Sequence, residues 1–464
     1  MPHMTIKEII DAVGGKFTGD QTLLDQSVTD VVIDSRLITP GALFIPIKGA
    51  RADGHDFIPQ VLEAGALCAL SEEGPDKTGA RFATDSSVPV VYVSSTAEAL
   101  RDLAAWYRSN LSIPVIGITG SYGKTSAKEI VAAILSEKFW VLKTAGNFNN
   151  AIGLPLTIFK IRPEHEVAVL EMGISEFGEM TVLAKMARPD IAMITTIGDC
   201  HLEQLGDRAG VYRAKSEMFD YLHDDKSCAI LRADDEILGT VKKVNGQCPF
   251  FYGMKPDNAL DAYVTDIHSR GLEGTDCVLH IGDETVSVNV PIPGLHMLYH
   301  MMAGAVAGHL LGMTMEEISS GAGKAQSLAG HGKIIRTDRY IILDSAYNAN
   351  PASMEATLTT LKDTDRRRVA ILGDMGELGE NELALHRQVG VYASGCDLDL
   401  LICVGPLSRE IAQGYEGKGR TLYYEDKASL LSDLPGLIRD GDAILVKASH
   451  FMGFDEIVDR LAAQ

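Results

Sequence analysis

A glycine-rich segment between two patterned stretches has the clearest chemical meaning in this chain. Residues 119–126 are TGSYGKTS; the apolar, β-branched run 113–119 precedes them, and the proline-free stretch 124–138 with helical period follows. Glycines let backbone N–H groups turn toward a phosphate, and a helix N-terminus adds partial positive charge. The Lys124 ammonium can reach the β- and γ-phosphates of a nucleotide, while the Thr125 hydroxyl can bind Mg²⁺. The segment therefore predicts a nucleoside triphosphate site.

The spacing of this segment is narrower than that of the common phosphate-binding loop. A strict Walker A motif has a glycine five residues before the glycine of the Gly-Lys pair, and Ile118 stands at that position here. The segment therefore fits a shorter TGxxGK[ST] pattern. A strand-to-helix turn that contains glycines for structural reasons alone is the alternative.

Three residues further along the chain could complete a phosphate and metal site. Glu171 ends the apolar run 167–170, at the strand edge where ligands bind in open α/β sheets, and Mg²⁺ prefers oxygen ligands. His201 lies just after another apolar run, and Lys215 lies in a helix-like segment. Taken singly, each also fits an ordinary role: a polar strand end, a structural histidine and a solvated helix charge.

Apolar runs alternate with helix-like segments and divide the chain into three blocks. The first block has short strand-like runs between turns and closes with a helical stretch. In the other two, continuous Val, Ile and Leu runs alternate with helical segments, which is typical of mainly parallel sheets covered on both faces. We predict an α/β protein with a small N-terminal domain (1–110), a central P-loop ATPase-like parallel-sheet domain (111–327) and a C-terminal doubly wound, Rossmann-like domain (328–464). Helices are expected at 97–108, 124–138 and 382–394, and strands at 31–33, 42–47, 88–93, 113–119, 166–170, 191–195, 228–231, 340–343, 368–372, 400–404 and 443–446.

The composition excludes several classes of protein. The 464 residues contain 42 Lys and Arg against 63 Asp and Glu, a formal net charge of −21 that disfavours a nucleic-acid or anionic-membrane binder. No apolar run approaches the roughly 18 residues of a membrane span, and the first residues lack a signal-peptide pattern. Seven cysteines without a CxxC pair predict reduced thiols. We expect a soluble cytoplasmic protein, for which a monomer suffices.

Together these motifs resemble the Mur ligases, ATP-dependent enzymes that form amide bonds in peptidoglycan precursor synthesis. The resemblance covers nearly the whole chain and includes the short phosphate loop. Two later motifs, YNANP (347–351) after Asp344 and LGDMGELG (372–379), are similar to the branch of the family whose amine substrate is D-alanyl-D-alanine. The resemblance therefore implies a ligase of that branch.

The resemblance also implies roles for individual residues. Thr125 and Glu171 would serve one Mg²⁺ ion, and His201 and Lys215 a second, with Lys215 open to carbamylation as the matching lysine is in relatives. A carbamate would turn this cation into an oxygen ligand. Lys124, Glu171, His201 and Lys215 form the expected catalytic set. ATP contacts are expected from Thr119, Gly120, Ser121, Tyr122, Gly123, Lys124, Thr125, Ser126, His300, His331, Asp344 and Asn348. Substrate contacts are expected from Ser35, Arg36, Asp53, Gly54, His55, Asn147, Asn149, Asn150, Asn350 and Ser353.

Three motifs of the family are altered in this sequence. The HNxxN pattern is HMLYH (296–300), the Gly-Arg pair before the third domain is Gly-His (330–331), and the late KGSR motif is KASH (447–450). These changes affect the expected contacts to adenine and the contacts that close over the phosphates. We interpret them as divergence within the family, with a changed amine substrate as the alternative.

The implied reaction adds D-alanyl-D-alanine to UDP-N-acetylmuramoyl-tripeptide through an acyl phosphate, and it would support cell-wall synthesis, cell shape and division. The N-terminal block would hold the uridine diphosphate end. Two alternatives stay open. One is another Mur-type or folylpolyglutamate-type amide ligase; the other is a non-catalytic nucleotide-binding partner subunit, which the substituted His331 and His450 mildly favour.

Overall fold

The computed structural model describes residues 4–49, 52–72, 88–222, 224, 226–256 and 259–463. The chain packs into two compact units. The first comprises Met1–Gly117, Trp140–Met172 and Thr181–Asp190, and the second comprises Ile118–Phe139, Gly173–Met180 and Ile191–Gln464. Within the described ranges, no helix has the length and apolar character needed to cross a membrane.

Short strands and helices form the N-terminal block of the first unit. The strands are β1 (Met4–Thr5), β2 (Lys16–Thr18), β3 (Ser27–Val28), β4 (Val31–Val32), β5 (Leu43–Phe44), β6 (Cys68–Ser71) and β7 (Val90–Tyr92), and the helices are α1 (Ile6–Val13), α2 (Ile58–Glu63) and α3 (Thr96–Ser109). Five strands form a sheet in the order β2-β7-β6-β5-β4, parallel except for β2. Ser95 caps the N-terminus of α3, since its side chain accepts a hydrogen bond from the Glu98 N–H.

Longer strands follow in the middle of the chain. They are β8 (Val115–Thr119), β9 (Val141–Lys143), β10 (Val167–Glu171), β11 (Ile191–Ile194), β12 (Cys228–Arg232), β13 (Phe250–Gly253), β14 (Ala262–Ser269), β15 (Thr275–Ile281) and β16 (Glu284–Val290). The helices are α4 (Lys124–Leu135), α5 (Gly153–Ile158), α6 (Glu179–Ala187), α7 (Leu202–Leu205), α8 (Arg208–Ser216), α9 (Met297–Leu310) and α10 (Met315–Ala322). In the second unit, β11 to β14 pair in parallel, and β14, β15 and β16 form an antiparallel ribbon. This ribbon is not among the elements predicted from the sequence.

The C-terminal part of the second unit is a six-stranded sheet between helices. Its strands are β17 (Lys333–Arg336), β18 (Ile341–Asp344), β19 (Arg368–Gly373), β20 (Leu400–Val404), β21 (Arg420–Tyr424) and β22 (Ala443–Lys447), and its helices are α11 (Pro351–Lys362), α12 (Glu382–Ser394), α13 (Ser408–Gly414), α14 (Lys427–Leu437) and α15 (Asp455–Ala462). The order is β17-β18-β22-β19-β20-β21, parallel except for β17. Successive residues of β19, Ala370 and Ile371, are buried in two separate apolar cores, as expected for a sheet covered on both faces. The predicted α/β class is confirmed, whereas the three domain boundaries stay a prediction.

The C-terminal end of α3 is fixed to the segments that join the first unit from the middle of the chain. The buried Tyr107 hydroxyl donates to the Ile161 carbonyl at 2.6 Å. The buried Arg108 guanidinium donates to the carbonyls of Ala187 (2.9 Å) and Arg188 (3.1 Å) and to the Asp190 carboxylate at 3.1 Å. Because Tyr107 and Arg108 are buried, these bonds satisfy polar groups that water does not reach and fix the end of α3.

Replacing Arg108 with methionine should destabilise the first unit by about 2–4 kcal/mol, because buried carbonyls lose a charged donor. Both tryptophans of the chain, Trp106 and Trp140, lie in this unit, so urea unfolding followed by tryptophan fluorescence measures it directly. Arg101→Met, on the less buried face of α3, is the control. An unchanged unfolding midpoint for Arg108→Met would show that these bonds contribute little.

Candidate active site

The loop between β8 and α4 depends on two glycines in conformations that other residues rarely adopt. Gly120 has a φ of 152° and Gly123 a φ of 77°. A Cβ on Gly120 would lie 1.9 Å from the Thr195 hydroxyl oxygen, and one on Gly123 would lie 2.6 Å from the His300 ring. Both positions therefore need glycine for conformational freedom and for space.

Hydrogen bonds hold this loop against the end of β11. The Ser121 N–H donates to the Thr196 carbonyl at 3.0 Å, and the Ser121 hydroxyl accepts from the Gly198 N–H at 2.9 Å. The Thr195 hydroxyl donates to the Tyr122 carbonyl at 2.6 Å. The loop is thus fixed from behind, immediately before the first turn of α4, where backbone N–H groups can face an anion.

Three basic side chains, Lys124, His201 and Lys215, lie beside the loop and close enough for their charges to interact. Lys215 is completely buried, and its amine has no hydrogen-bond partner within the described part of the chain. The pKa of Lys215 is lowered to about 8, chiefly by burial and in smaller part by the charge of Lys124. Burial also lowers the pKa of His201, against the pull of Glu377, and the charges of Lys215 and Lys124 add to this effect. The cluster has an excess of positive charge, which suits a polyphosphate.

Lys124 itself folds over the loop, where its amine donates to the Gly120 carbonyl at 2.8 Å. A lysine held this way keeps further N–H donors for a ligand.

Glu171 ends β10 in the first unit and is buried at 2% exposure. The Asn149 amide donates to its carboxylate at 2.9 Å, and the Glu171 N–H donates to the Thr144 hydroxyl at 3.0 Å. The Asn150 side-chain oxygen accepts from the N–H groups of Ile152 and Gly153, while Asn147 is exposed. The structure thus brings two predicted residues, Asn149 and Glu171, into contact and gives Asn150 a local structural role.

The side chains of the second unit fit a magnesium ion that shares its ligands with phosphates. Among the described residues, no group of three or more His, Cys, Asp or Glu side chains could hold a metal by itself. Thr125 and His201 supply an oxygen and a nitrogen, and the buried amine of Lys215 is one of the polar atoms without a hydrogen-bond partner among the described residues. Such a sparse set suits Mg²⁺, which takes few protein ligands beside phosphate oxygens and water.

On the C-terminal side, Asp344 and Lys447 hold the turns that the motifs predict to face the nucleotide. The Asp344 carboxylate accepts from the N–H groups of Gly330 (2.6 Å) and Ala346 (3.2 Å). The Lys447 amine donates to the Asn348 carbonyl at 2.8 Å, and burial lowers its pKa to about 8. These contacts order the turn that begins at Asn348.

Two histidines, His331 and His450, lie close to the ring of Tyr347. The ring centroids of His331 and His450 are 4.5 Å and 5.2 Å from that of Tyr347. His331 also lines a small pocket with Thr125 and Ser126 of the loop. Burial lowers the pKa of His331 to about 4, so its ring is neutral at physiological pH. The three rings thus form a tilted aromatic cluster at this end of the C-terminal sheet.

His300 lies behind the loop, since its ring faces the open side of Gly123. Burial lowers its pKa to about 3, with His296 and Arg232 adding to the effect. Its Nε2 atom has no partner among the described residues. The predicted ATP contact at this position would therefore come from a neutral imidazole.

Asn350 and Ser353 form the cap of α11. The Asn350 side-chain oxygen accepts from the Ser353 N–H at 2.9 Å, and the Ser353 hydroxyl accepts from the Asn350 N–H at 3.0 Å. The Asn350 amide also donates to the Ser121 carbonyl at 3.4 Å. Asn350 therefore contacts the loop directly, while its role toward a substrate stays a prediction.

The residues predicted to bind a substrate in the N-terminal block form local structures. The exposed Arg36 guanidinium donates to the Asp34 carboxylate through Nε at 2.9 Å and Nη2 at 2.6 Å, and Ser35 begins the same turn. Nδ1 of the fully buried His55 lies 2.7 Å from the Asp53 carboxylate. A Cβ at Gly54 would lie 2.7 Å from the Ile47 nitrogen, so this turn requires glycine.

Two groups near the site were not among the predicted residues. Oε2 of Glu377 lies 2.5 Å from Nδ1 of His201. The Arg232 guanidinium lies 3.5 Å from the centroid of the Tyr299 ring, whose hydroxyl donates to Asp234 at 2.8 Å. Glu377 stands inside the LGDMGELG motif, but the sequence alone does not reveal its contact with a histidine so distant along the chain.

Comparisons with known proteins agree with this architecture. Residues 27–108 match a model described as Mur ligase family, catalytic domain, residues 118–308 match the Mur ligase middle domain, and residues 333–450 match the Mur ligase, glutamate ligase domain. A crystal structure of MurF from Acinetobacter baumannii superposes with a TM-score of 0.90 at 28% identity, covering 100% of both chains. MurF from Thermotoga maritima in complex with ADP gives a TM-score of 0.80 at 27% identity, covering 94% of this chain and 97% of that one.

Curated relatives match along almost their whole length. UDP-N-acetylmuramoyl-tripeptide–D-alanyl-D-alanine ligase from Escherichia coli is 34% identical, and the enzyme of the same name from Bacillus subtilis is 35% identical; each match covers 99% of both chains. Identity of this extent, together with the three matched domains, shows that the chain belongs to the Mur ligase family.

Proposed function

We propose that this protein is an ATP-dependent ligase that joins D-alanyl-D-alanine to UDP-N-acetylmuramoyl-tripeptide during peptidoglycan precursor synthesis. The observation that carries the proposal is the fixed glycine loop with Lys124, beside the buried amine of Lys215 and the ring of His201. Curated relatives with that activity in their name, matched over 99% of both chains, support it. The ADP complex of the Thermotoga maritima relative supports nucleotide binding.

In the first step, a carboxylate oxygen of the UDP-linked peptide attacks the γ-phosphorus of ATP. The bond between that phosphorus and the β–γ bridging oxygen breaks, which gives an acyl phosphate and ADP. Lys124 and the N–H groups at the start of α4 bind the phosphates and offset the charge that develops on them. No nucleophilic side chain is required, because the substrate carboxylate is the nucleophile.

In the second step, the neutral amine of the dipeptide attacks the acyl carbon, and phosphate leaves with the electron pair of the broken C–O bond. The nitrogen loses its proton as the amide forms. Orientation supplies much of the rate, since two bound reactants react as one molecule. We assign the dipeptide to the neighbourhood of Asn350 and Ser353, at the start of α11, and the uridine diphosphate end to Ser35, Arg36 and the turn at Asp53.

Thr125, Glu171, His201 and Lys215 are the proposed ligands of two Mg²⁺ ions. When bound, such ions neutralise charge on the phosphate oxygens. We propose that Lys215 serves as a carbamate, because its amine is buried without a hydrogen-bond partner in the described residues and its pKa is lowered to about 8 by burial. The neutral amine adds to the carbon of CO₂ and releases one proton, so a cation becomes an oxygen donor.

The ligase activity is tested by measuring ADP release with each substrate present or omitted. ADP should form rapidly only when the UDP-linked tripeptide, D-alanyl-D-alanine and ATP are all present, because the acyl phosphate needs its amine to turn over. A panel of UDP-muramoyl peptides and amines tests the related ligases. Equal ADP release without either co-substrate would indicate a simple hydrolase, and no release with any panel member would indicate a non-catalytic subunit.

Lys124→Ala should lower the rate of ligation by roughly 10³-fold or more while the fold stays intact, because the γ-phosphate loses its direct cation. Lys185→Ala, at an exposed position on α6, is the charge-matched control. Circular dichroism verifies folding of both variants. A well-folded Lys124→Ala protein with the wild-type rate would contradict the assignment of the phosphate loop.

Gly123→Ala should weaken ADP binding by at least about 10-fold, because the left-handed backbone costs alanine about 1–2 kcal/mol and its Cβ would meet His300. Gly178 is a matched control, since its φ of 82° is similar but no atom lies within 4 Å of a Cβ there. Isothermal titration with ADP measures both variants. Equal affinities for the two alanine variants would show that the His300 contact is unimportant.

The carbamate on Lys215 should give a protein-bound carbonyl signal in NMR spectra recorded with isotopically labelled bicarbonate. The signal should grow as pH rises toward the lowered Lys215 pKa of about 8, since more amine is neutral there. It should vanish in Lys215→Ala and persist in Lys447→Ala, whose buried amine has the same lowered pKa of about 8. A wild-type spectrum without this signal at mildly alkaline pH would refute the carbamate.

A further inference from the structure

A short contact joins two distant parts of the chain at the proposed metal site. Nδ1 of His201 lies 2.5 Å from Oε2 of Glu377. His201 precedes α7, in the range matched by the Mur ligase middle domain, and Glu377 follows β19, in the range matched by the C-terminal ligase domain. The contact therefore links the histidine proposed to bind a metal to a carboxylate that lies far along the chain.

Both residues adopt backbone conformations that L-residues seldom adopt. His201 has a φ of 52° and Glu377 a φ of 61°. Neither is the glycine that a left-handed position favours, and such conformations persist where the surrounding structure enforces them. The strain falls on two residues that face each other, which indicates a functional reason for their placement.

The loop that holds Glu377 is fixed from behind. The Met375 N–H donates to Nε2 of the buried His386 at 2.9 Å, and the Gly376 N–H donates to the Ser449 hydroxyl at 2.9 Å. The Ser449 N–H in turn donates to the Asp374 carbonyl at 3.0 Å. Glu377 is therefore presented by a rigid turn, although its own side chain is 58% exposed.

The same loop approaches the start of α7 at a second point. A Cβ on Gly379 would lie 3.5 Å from the Glu203 backbone nitrogen, and the Gly379 backbone is left-handed with a φ of 66°. The loop that carries Glu377 and the start of α7 therefore lie in van der Waals contact near Gly379, beside the contact of Glu377 with His201.

An imidazole that binds a metal through one nitrogen commonly donates its other N–H to a carboxylate, which fixes the tautomer and the ring orientation. We propose that Glu377 is a positioning residue that accepts the Nδ1–H of His201 and leaves the Nε2 lone pair for the divalent cation. The metal site is then complete only when the loop that carries Glu377 is in contact with α7. This inference rests on the proposed role of His201 as a Mg²⁺ ligand.

An exposed ion pair with a merely structural role would behave differently. Such pairs contribute little to stability, so loss of Glu377 would then change neither metal binding nor the ring tautomer. The exposure of Glu377 therefore makes the two roles separable by experiment.

The test measures Mn²⁺ binding to the full-length protein with saturating ADP by electron paramagnetic resonance. Glu377→Ala should weaken Mn²⁺ binding by roughly 10–100-fold, the range seen when such supporting carboxylates are removed. Glu377→Asp should recover part of this loss, and the melting temperature of both variants should stay at the wild-type value. Nitrogen NMR of labelled histidine should show the Nδ1–H tautomer of His201 in the wild type and a mixture of tautomers in Glu377→Ala.

Two further variants keep the outcomes distinct. Glu380→Ala removes an exposed carboxylate from the same loop and should bind Mn²⁺ as the wild type does. His201→Ala tests the ligand itself: unchanged Mn²⁺ binding in that variant would refute the metal role and with it this inference. Weakened binding in His201→Ala, but wild-type binding and an unchanged tautomer in Glu377→Ala, would overturn the positioning role alone.

Discussion

Positive charge buried beside the loop between β8 and α4 is the constraint on which the rest of the site depends. Lys215 is fully buried without a hydrogen-bond partner in the described ranges. The charge of Lys124 lowers the pKa of Lys215, and the charge of Lys215 in turn lowers the pKa of His201. Removing a charge from water without a partner is costly, and a lowered pKa relieves only part of that cost. A polyphosphate supplies the missing negative charge, so the architecture favours the liganded state.

The regular parts of the fold could be predicted because their pattern is local. Helix α12 (Glu382–Ser394) and strand β20 (Leu400–Val404) have the predicted bounds, because continuous apolar runs and helical period can be recognised without a distant partner. The antiparallel ribbon of β14 to β16 was missed. Its strand β15 alternates buried and partly exposed residues over its whole length, a period of two that was present in the sequence.

The candidate site likewise contains residues that could be predicted from the sequence and contacts that could not. The glycine loop is contiguous in sequence, so its residues could be identified together, and the resemblance to a family indicated Glu171, His201 and Lys215. The contact of Glu377 with His201 forms only through the fold, and no local pattern indicates it. A polar residue can also serve the local structure, so its type alone does not identify a substrate contact. Asn350 and Ser353 cap a helix, and the Asp53 carboxylate contacts the ring of His55, although all three are candidates for substrate contacts.

The anchoring of α3 has a mechanical consequence for catalysis. Tyr107 and Arg108 bind the end of this helix to Ile161 and to the Ala187–Asp190 turn, so the N-terminal block is hydrogen-bonded to the two other segments of the first unit, one of which bears Glu171. A hinge cannot operate at that joint without breaking buried bonds. The N-terminal block and Glu171 should therefore behave as parts of one compact unit.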